Sequence, residues 1–279
     1  MSFRARKLVF EAFEKRDFGP VHPKPWHEIQ LTKLQFFGLK HIPSPQETAA
    51  KLDRYFLNPK DEDHAPPFRN KRQLFNYFDV VYIIDSSSSI SELEFNRGVQ
   101  ALEQMVGKSK AASRHGVITI ATTGNIVLNF TAKENAGQKL RMLKRSGGKT
   151  NTQDALEMCY QMFENPKYGA RDGSFKRILI VTDGQSNIKK HLTIEKAIRL
   201  KQVGIEVFVI AVGEYLDGME ELSKMASSPN AHMYRVEDMN GLVLVVKLIP
   251  RSLTQWSSNI LGGSPVRPSK RGGALDGAG

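Results

Sequence analysis

Residues 80–89 are VVYIIDSSSS, an apolar run that ends in one aspartate and four serines. A continuous run of β-branched and aromatic residues is typical of a parallel strand that is buried on both faces of its sheet. The polar cluster that follows then lies at the carboxyl end of the strand, where open α/β sheets form their functional crevice. This stretch therefore predicts both a parallel α/β sheet and the position of its functional site.

Strand and helix patterns alternate from residue 79 to residue 250. Gly116–Ala121 and Ile126–Phe130 flank a turn sequence at 123–125, which predicts a hairpin and hence one antiparallel strand at the edge of the sheet. The other predicted strands are Val80–Ile84, Ile178–Val181, Ile205–Val212 and His232–Arg235. Because single helices separate these strands, we expect an α/β fold: a doubly wound, mostly parallel sheet with helices on both faces.

The helix after the serine cluster is predicted to begin at Ser91, because Ser91 and Glu94 have the spacing of a capping box. Its apolar residues at helical spacing are Leu93, Val99, Leu102 and Val106. The other predicted helices are Pro45–Leu57, Thr152–Phe163, Ile194–Val203, Met219–Ala226 and Leu242–Leu248.

Proline and charge distinguish the two flanks from this central region. Eight of the 13 prolines precede residue 79, and 14 basic against 9 acidic residues give the segment 1–78 a net charge of +5. The segment 251–279 is rich in glycine and cannot bury enough apolar surface to offset the entropy of ordering it. We therefore divide the chain into a proline-rich basic flank at 1–78, a domain at 79–250 and a disordered tail at 251–279.

The composition excludes several classes of protein. No apolar run of the 279 residues reaches the roughly 18 residues that a membrane helix needs, and the first thirty residues lack the apolar core of a secretory signal. The single cysteine, Cys159, excludes an internal disulfide and a cysteine-based zinc finger, and its apolar neighbours predict a buried thiol. The net charge of +11 favours acidic partners.

Three polar clusters are predicted to meet at the carboxyl edge of the sheet. Asp85, Ser87 and Ser89 alternate after the first strand. Thr150 lies in a loop that contains two glycines, and Asp183 follows another buried strand. Carboxylates and hydroxyls without histidine or cysteine suit Mg²⁺, and also Mn²⁺ or Ca²⁺, better than zinc or copper. A dication at this edge would have only two formal negative charges around it, so it would remain electrophilic. One of its coordination positions would then be free for a carboxylate from outside the chain.

The type and order of these residues resemble the metal-ion-dependent adhesion site of a von Willebrand factor type A domain. The family's Asp-x-Ser-x-Ser motif matches Asp85, Ser87 and Ser89. The family's threonine matches Thr150, and its second aspartate matches Asp183 in Val-Thr-Asp-Gly. The match is specific because three separated elements occur in the order that the family shows. Each of them also follows the secondary structure that it follows in the family.

The resemblance covers residues 79–250 and implies a metal-dependent protein-binding module rather than an enzyme. In the family, the hydroxyls bind Mg²⁺, the aspartates hold its water molecules, and a Glu or Asp of the partner completes the octahedron. The segments 211–213 (AVG) and 225–229 (MASSP) are also similar to matrix-type members of the collagen-VI-like, matrilin-like or polydom-like kind. We therefore expect a function in adhesion or matrix assembly.

The resemblance leaves the location of the protein open. Modules of this kind usually enter the secretory route, so we expect an extracellular protein if the chain is a fragment or begins at a mispredicted start, and a cytoplasmic protein otherwise. An intracellular module that scaffolds a multiprotein complex is the alternative function. Asn129 begins a glycosylation sequon, which is used only on the secretory route.

Less specific interpretations of the site residues also remain. Taken alone, Asp85, Ser87 and Ser89 are as consistent with a loop that caps the next helix as with a metal site. A phosphoryl-acceptor aspartate of the haloacid dehalogenase kind needs a second acidic residue where this chain has Ser87, and the motifs of hydrolases, dinucleotide-binding enzymes and phosphate-binding loops are absent from the sequence. We therefore do not expect catalysis.

A basic cluster lies directly before the predicted metal threonine. Its members are Lys139, Arg141, Lys144, Arg145 and Lys149. One interpretation is a solvated helix face, and the other is a docking patch for an acidic protein or a sulfated glycan. A polyanion binder is the less favoured function, and we expect neither a nucleic acid partner nor a membrane span.

Overall fold

The computed structural model describes residues 41–59, 77–214 and 218–251. Its strands are β1 (Phe78–Asp85), β2 (Arg114–Ile120), β3 (Gly124–Ala132), β4 (Phe175–Thr182), β5 (Glu206–Val212) and β6 (Met233–Val236). They form one sheet in the order β3-β2-β1-β4-β5-β6. Only β2 and β3 pair antiparallel, and the other neighbours are parallel. The mostly parallel sheet with one antiparallel edge strand is confirmed.

Helices lie on both faces of this sheet, also as predicted. They are α1 (Pro45–Leu52), α2 (Glu92–Lys108), α3 (Lys133–Arg141), α4 (Thr152–Glu164), α5 (Lys190–Gln202), α6 (Met219–Met225), α7 (Pro229–His232) and α8 (Met239–Leu248). A π-helical turn, Asp53–Leu57, continues α1. The predicted disordered tail and most of the predicted basic flank lie outside the described residues.

The central strands are apolar without interruption because both of their faces are covered. Successive side chains of a strand point to opposite faces. Tyr82 and Ile84 of β1 pack in one core cluster with residues of α1, α2, α3 and α8. Val81 and Ile83 pack in a second cluster with residues of α4, α5 and α6. All four side chains are fully buried, so the run at 80–84 forms the middle of two cores.

Helix α2 differs from its prediction in two details. The hydroxyl of Ser91 accepts the N–H of Glu94 at 3.2 Å, as expected of the cap. The reciprocal bond of the capping box does not form, because the Glu94 carboxylate instead accepts the N–H of Met239 at the start of α8. Leu93, which we expected on the apolar face, is 60% exposed, since it lies about 200° around the helix from the buried Phe95.

Helices α3 and α7 have no counterpart among the predicted helices. The buried residues of α3 are Ala136 and Leu140. Two apolar positions in nine residues do not make a recognisable helical pattern. Helix α7 is a four-residue turn capped by the hydroxyl of Ser228, which is too short for any periodicity.

The segment Pro45–Leu57, assigned from sequence to the basic flank, packs into the core. Leu52 and Phe56 are buried, and the Phe56 ring contacts the Phe208 ring edge-on with 5.0 Å between centroids. Ser44 caps the start of the segment with a complete capping box: its hydroxyl accepts the backbone N–H of Glu47, and the Glu47 carboxylate accepts the backbone N–H of Ser44. The predicted domain of 79–250 therefore leaves out a helix that fills part of one core.

A buried arginine ties this segment to the sheet. Arg177 of β4 exposes only 2% of its side chain and pairs with Glu206 of β5 at 2.8 Å. Its guanidinium also donates to the carbonyl of Phe56 and lies 4.0 Å from the centroid of the Phe78 ring. The Phe208 ring lies on the guanidinium as well, with 5.5 Å to its centroid, so a carboxylate, a carbonyl and two aromatic faces surround the positive charge.

Two predictions from composition can be compared with the described residues. Cys159 of α4 is buried as expected, and burial raises the pKa of its thiol. Among the described helices, none combines the length and the apolar character that crossing a membrane requires.

Candidate metal centre

Three loops meet at the carboxyl edge of the sheet, next to β1 and β4. They are residues 86–91 after β1, 142–151 before α4 and 183–189 after β4. The strand order changes direction at β1, which has β2 on one side and β4 on the other. At such a switch point the loops leave toward opposite faces and open a crevice between them.

Asp85 is the last residue of β1 and is fully buried beneath this crevice. One carboxylate oxygen accepts the N–H of Ser87 and the other accepts the hydroxyl of Thr182, both at 2.9 Å. Burial raises the pKa of Asp85, the bonds from Ser87 oppose this shift, and the negative charge of Asp183 adds to it. A cation in the crevice would favour the ionised carboxylate.

The four consecutive serines after Asp85 form two pairs, and each pair has different contacts. The hydroxyls of Ser87 and Ser89 lie 2.9 Å apart, and both residues line the crevice. The hydroxyl of Ser88 instead accepts the N–H of Gly148 at 2.8 Å, and that of Ser86 accepts a bond from the same loop. Ser87 and Ser89 are therefore available to a ligand, whereas the other two serines hold the loops together.

Thr150 is buried and is held by the loop that follows β4. Its N–H donates to Oδ1 of Asn187 at 2.7 Å, and its carbonyl accepts the N–H of Asn187 at 2.9 Å. The same carbonyl accepts the hydroxyl of Ser186 at 3.3 Å. The N–H of Ser186 donates in turn to Glu221 of α6 at 3.0 Å, and burial raises the pKa of that glutamate. A chain of hydrogen bonds therefore runs from α6 to Thr150.

The loops enclose an open cleft of about 260 Å³. The residues that line it are Ser87, Ser89, Gly148, Lys149, Thr150 and Asn187. The structure thus places the three predicted hydroxyl residues around one cleft. Asp85 lies below them and bonds to Ser87, and the half-buried Asp183 is near enough to affect the pKa of Asp85.

The donors around this cleft fit a hard divalent cation. Three hydroxyl residues line one cleft, and the buried carboxylate of Asp85 accepts the N–H of one of them, Ser87. Within the part of the chain that the structure describes, no group of three or more His, Cys, Asp or Glu side chains could hold a metal. Oxygen-only donors of low total charge suit Mg²⁺, Mn²⁺ or Ca²⁺.

The basic cluster before Thr150 divides into members with different contacts. Arg141 pairs with Glu103 of α2 at 2.6 Å. Arg145 donates to the carbonyl of Ser87 at 3.3 Å, so it braces the loop after β1. Lys149 lines the cleft itself. The cluster is therefore not one uniform docking patch, and its members differ in how close they lie to the candidate metal centre.

Sequence reasoning did not identify four residues that shape the site. Thr182 bonds to Asp85, and Asn187, Ser186 and Glu221 position Thr150. The first three lie in or next to the polar segment after β4, so their position at a strand end was a usable signal. Glu221 had no such signal, because it lies on a helix that contacts the site only through the tertiary fold.

Residues 79–247 match the family model of the von Willebrand factor type A domain. The chain belongs to the von Willebrand factor type A domain family. The matched residues begin with β1 and end within α8, so they include every loop of the candidate metal centre. The segment Pro45–Leu57, which packs into the core, lies outside the matched residues.

Curated relatives match a little more than half of this chain. In the rat, the sushi, von Willebrand factor type A, EGF and pentraxin domain-containing protein 1 is 27% identical over 180 residues, which are 60% of this chain and 5% of that protein. The collagen alpha-4(VI) chain of the mouse is 29% identical over 159 residues, which are 54% of this chain and 7% of the relative. The chain thus spans a small fraction of the length of these relatives.

A solved type A domain protein has a similar fold. Proximal thread matrix protein 1 from the mussel byssus, in a structure with zinc in its metal-ion-dependent adhesion site, aligns with a TM-score of 0.55. The two chains are 22% identical, and the alignment covers 62% of this chain and 47% of that one. At this level of sequence identity, the similarity shows a shared fold and nothing more.

Proposed function

We propose that this type A domain binds a protein partner through a divalent cation, Mg²⁺, at the carboxyl edge of its sheet. The observation that carries the proposal is the cleft that Ser87, Ser89 and Thr150 line together, beside the buried Asp85 that bonds to Ser87. The mussel relative with zinc in the corresponding type of site supports a divalent cation, and the oxygen-only donors favour Mg²⁺ over zinc.

The proposed roles follow from the position of each side chain. Ser87, Ser89 and Thr150 bind the cation through their hydroxyls, while Asp85 and Asp183 support it with negative charge. The cation supplies an electrophilic position for one carboxylate oxygen of a Glu or Asp on the partner. Because the cleft is open at the surface, such a side chain can enter without rearrangement of the strands.

The comparisons favour adhesion or matrix assembly in the extracellular space as the setting of this binding. Relatives include a collagen VI chain, and collagen VI belongs to the extracellular matrix. Type A domains of matrix and adhesion proteins are in general not enzymes, which agrees with a binding role. An intracellular scaffold with the same site would use the same chemistry toward another acidic partner.

Titration of the chelator-treated protein with Mg²⁺ and Mn²⁺ in a calorimeter tests the metal site. We expect one site per chain, and we expect Asp85→Asn, which keeps the size of the side chain, to weaken binding at least tenfold, because the charge that supports the cation is lost. Asp172→Ala, a change at an exposed aspartate outside the cleft, should leave the affinity unchanged. Equal affinity of Asp85→Asn and the wild type would contradict the assignment.

Binding to immobilised matrix proteins and to heparin, with and without EDTA and across a salt series, tests the type of partner. Metal-dependent binding should disappear in EDTA and tolerate moderate salt, because a short metal–carboxylate contact excludes screening ions. Binding driven by the basic residues Lys139, Arg141, Lys144 and Arg145 should ignore EDTA and fall steeply with salt. If the protein were retained on heparin alone, the partner would be a sulfated glycan and not an acidic protein.

A further inference from the structure

Asn187 lies on the rim of the cleft with one half of its side-chain amide already engaged. Oδ1 accepts the N–H of Thr150 at 2.7 Å, and the backbone N–H of Asn187 donates to the carbonyl of Thr150 at 2.9 Å. This double contact holds the Asn187 side chain against the loop of the predicted metal threonine. Because Oδ1 is occupied by a donor, the other end of the amide is Nδ2, which can only donate.

The Nδ2 of Asn187 is available to a ligand. Asn187 is exposed and lines the cleft together with the hydroxyl residues. Among the described residues, no acceptor is bonded to its Nδ2. The side chain therefore presents two N–H groups at the cleft in an orientation that the bond to Thr150 determines.

Lys149 provides a second donor on the same rim. Its backbone N–H donates to the hydroxyl of Thr122 at 3.2 Å, which holds the residue in place, while its side chain is exposed and lines the cleft. Its ammonium makes no ion pair with any carboxylate in the described ranges.

We propose that Asn187 and Lys149 bind the partner's carboxylate directly, by donating to the oxygen that the cation does not take. This inference rests on the proposed function and adds the residues that recognise the acidic group. A carboxylate has two oxygens with several acceptor positions, and a hydrogen bond to an ionised oxygen is roughly twice as strong as a neutral one. A carboxamide carries an N–H₂ where this second oxygen would be, so the rim selects Glu or Asp over Gln or Asn.

The substitution Asn187→Asp separates this role from a structural one. The new carboxylate keeps an acceptor for the N–H of Thr150, so the loop contact is preserved. It replaces the donor Nδ2 by an oxygen that repels an incoming carboxylate. We expect the Mg²⁺ affinity to be at least as high as that of the wild type. The Mg²⁺-dependent affinity for a blocked peptide, acetyl-Gly-Glu-Gly-amide, should fall roughly tenfold or more.

Matched variants and a direct spectroscopic signal control the experiment. Asn129→Asp makes the same change of charge at an exposed residue of β3 outside the cleft lining and should bind the peptide like the wild type. Lys149→Met should weaken the peptide several-fold, whereas Lys139→Met should not. In nuclear magnetic resonance spectra of the wild-type chain, the side-chain N–H₂ signals of Asn187 should shift on addition of the peptide only when Mg²⁺ is present.

The outcomes distinguish the inference from the function on which it rests. If the wild type binds the peptide in Mg²⁺ but Asn187→Asp binds it equally well, the role of Asn187 is wrong and the metal-dependent function stands. The role of Asn187 is equally wrong if the glutamine analogue of the peptide binds as tightly, or if Asn187→Asp loses Mg²⁺ and peptide affinity to the same extent. If the wild type shows no Mg²⁺-dependent binding of the peptide, both proposals fall.

Discussion

Gly148 brings the loop before α4 against the serine loop. Its φ is +91°, and a Cβ at this position would lie 2.4 Å from the hydroxyl oxygen of Thr122. Its N–H donates to the hydroxyl of Ser88 and its carbonyl accepts the N–H of Ser88. Only glycine adopts this conformation without strain, and a side chain here would also collide with Thr122, in the turn between β2 and β3.

We therefore expect Gly148→Ala to lower the free energy of unfolding by about 1–3 kcal/mol and to weaken Mg²⁺ binding, because the loop must move away from Thr122. Urea denaturation and calorimetric titration measure the two effects. Gly107→Ala is the control, since this helical glycine has open space around its Cβ position, and it should stabilise α2 slightly. Unchanged stability and affinity in Gly148→Ala would show that the loop does not need this conformation.

His115 is a residue whose effect on stability depends on pH. It is buried on β2, its Nε2 lies 3.0 Å from the hydroxyl of Ser109, and its ring stacks on Tyr82. Burial lowers the pKa of His115 to about 3, and the positive charges of Lys133 and Arg171 add to this shift. In the unfolded chain the pKa returns to about 6.5.

Between pH 6.5 and pH 3 the unfolded chain therefore binds a proton that the folded chain does not, so the fold becomes less stable as the pH falls through this window. The loss from this one group approaches about 1.4 kcal/mol per pH unit, and above about pH 6.5 the group contributes no slope. Urea denaturation at a series of pH values should show a flatter acid limb for His115→Gln. His41→Gln, at an exposed histidine, should keep the slope of the wild type.

At the scale of elements, the helix α1 and its π-helical turn extend the core beyond the residues that match the family. Leu52 and Phe56 pack in the same cluster as the buried residues of α2 and α8. The buried Arg177 donates to the carbonyl of Phe56, which links this element to β4. We therefore propose that the folding unit begins near residue 45 and ends near residue 250.

Phe56→Ala should accordingly lower the free energy of unfolding by about 3 kcal/mol, because it opens a cavity against Phe208 and Tyr82. Gln46→Ala, at an exposed position of the same helix, should have little effect. A chain that begins at residue 77 should melt well below one that begins at residue 41. Equal melting temperatures of these two chains would show that the segment is dispensable for folding.

At the scale of the whole molecule, the two core clusters are separate from the cleft. One cluster lies on each face of the sheet, and none of the residues that line the cleft belongs to either. The fold therefore has its own sources of stability on both faces. A cation at the carboxyl edge would add to this stability but would not create the fold.

We expect EDTA to lower the melting temperature modestly and to leave the far-ultraviolet circular dichroism unchanged at room temperature. A ligand that binds only the folded state adds about 2.7 kcal/mol at a concentration one hundred times its dissociation constant. The metal-dependent part of the melting temperature should disappear in Asp85→Asn, which provides the control. Unfolding of the wild type in EDTA at room temperature would mean that the cation is structural.

The amino-acid sequence by itself determined the sheet and the candidate ligands. The strands were predictable because apolar β-branched runs such as Val80–Ile84 reflect burial on both faces, a property of a few neighbouring residues. The order of Asp85, Ser87 and Ser89 after that strand placed them at the carboxyl edge without further information. The family then followed from three short motifs, at Asp85, Thr150 and Asp183, whose order along the chain is visible in the sequence. The ligand roles of these residues remain predictions.

Only the tertiary structure decided what surrounds those residues. Asn187 and Thr150 are 37 residues apart in the chain, and Arg177 and Phe56 are 121 apart. Glu94 has the spacing of a capping box, yet its carboxylate bonds to the start of α8, 145 residues away. Local propensity carries no information about which distant groups meet, because that choice depends on how helices and loops pack once the sheet has formed.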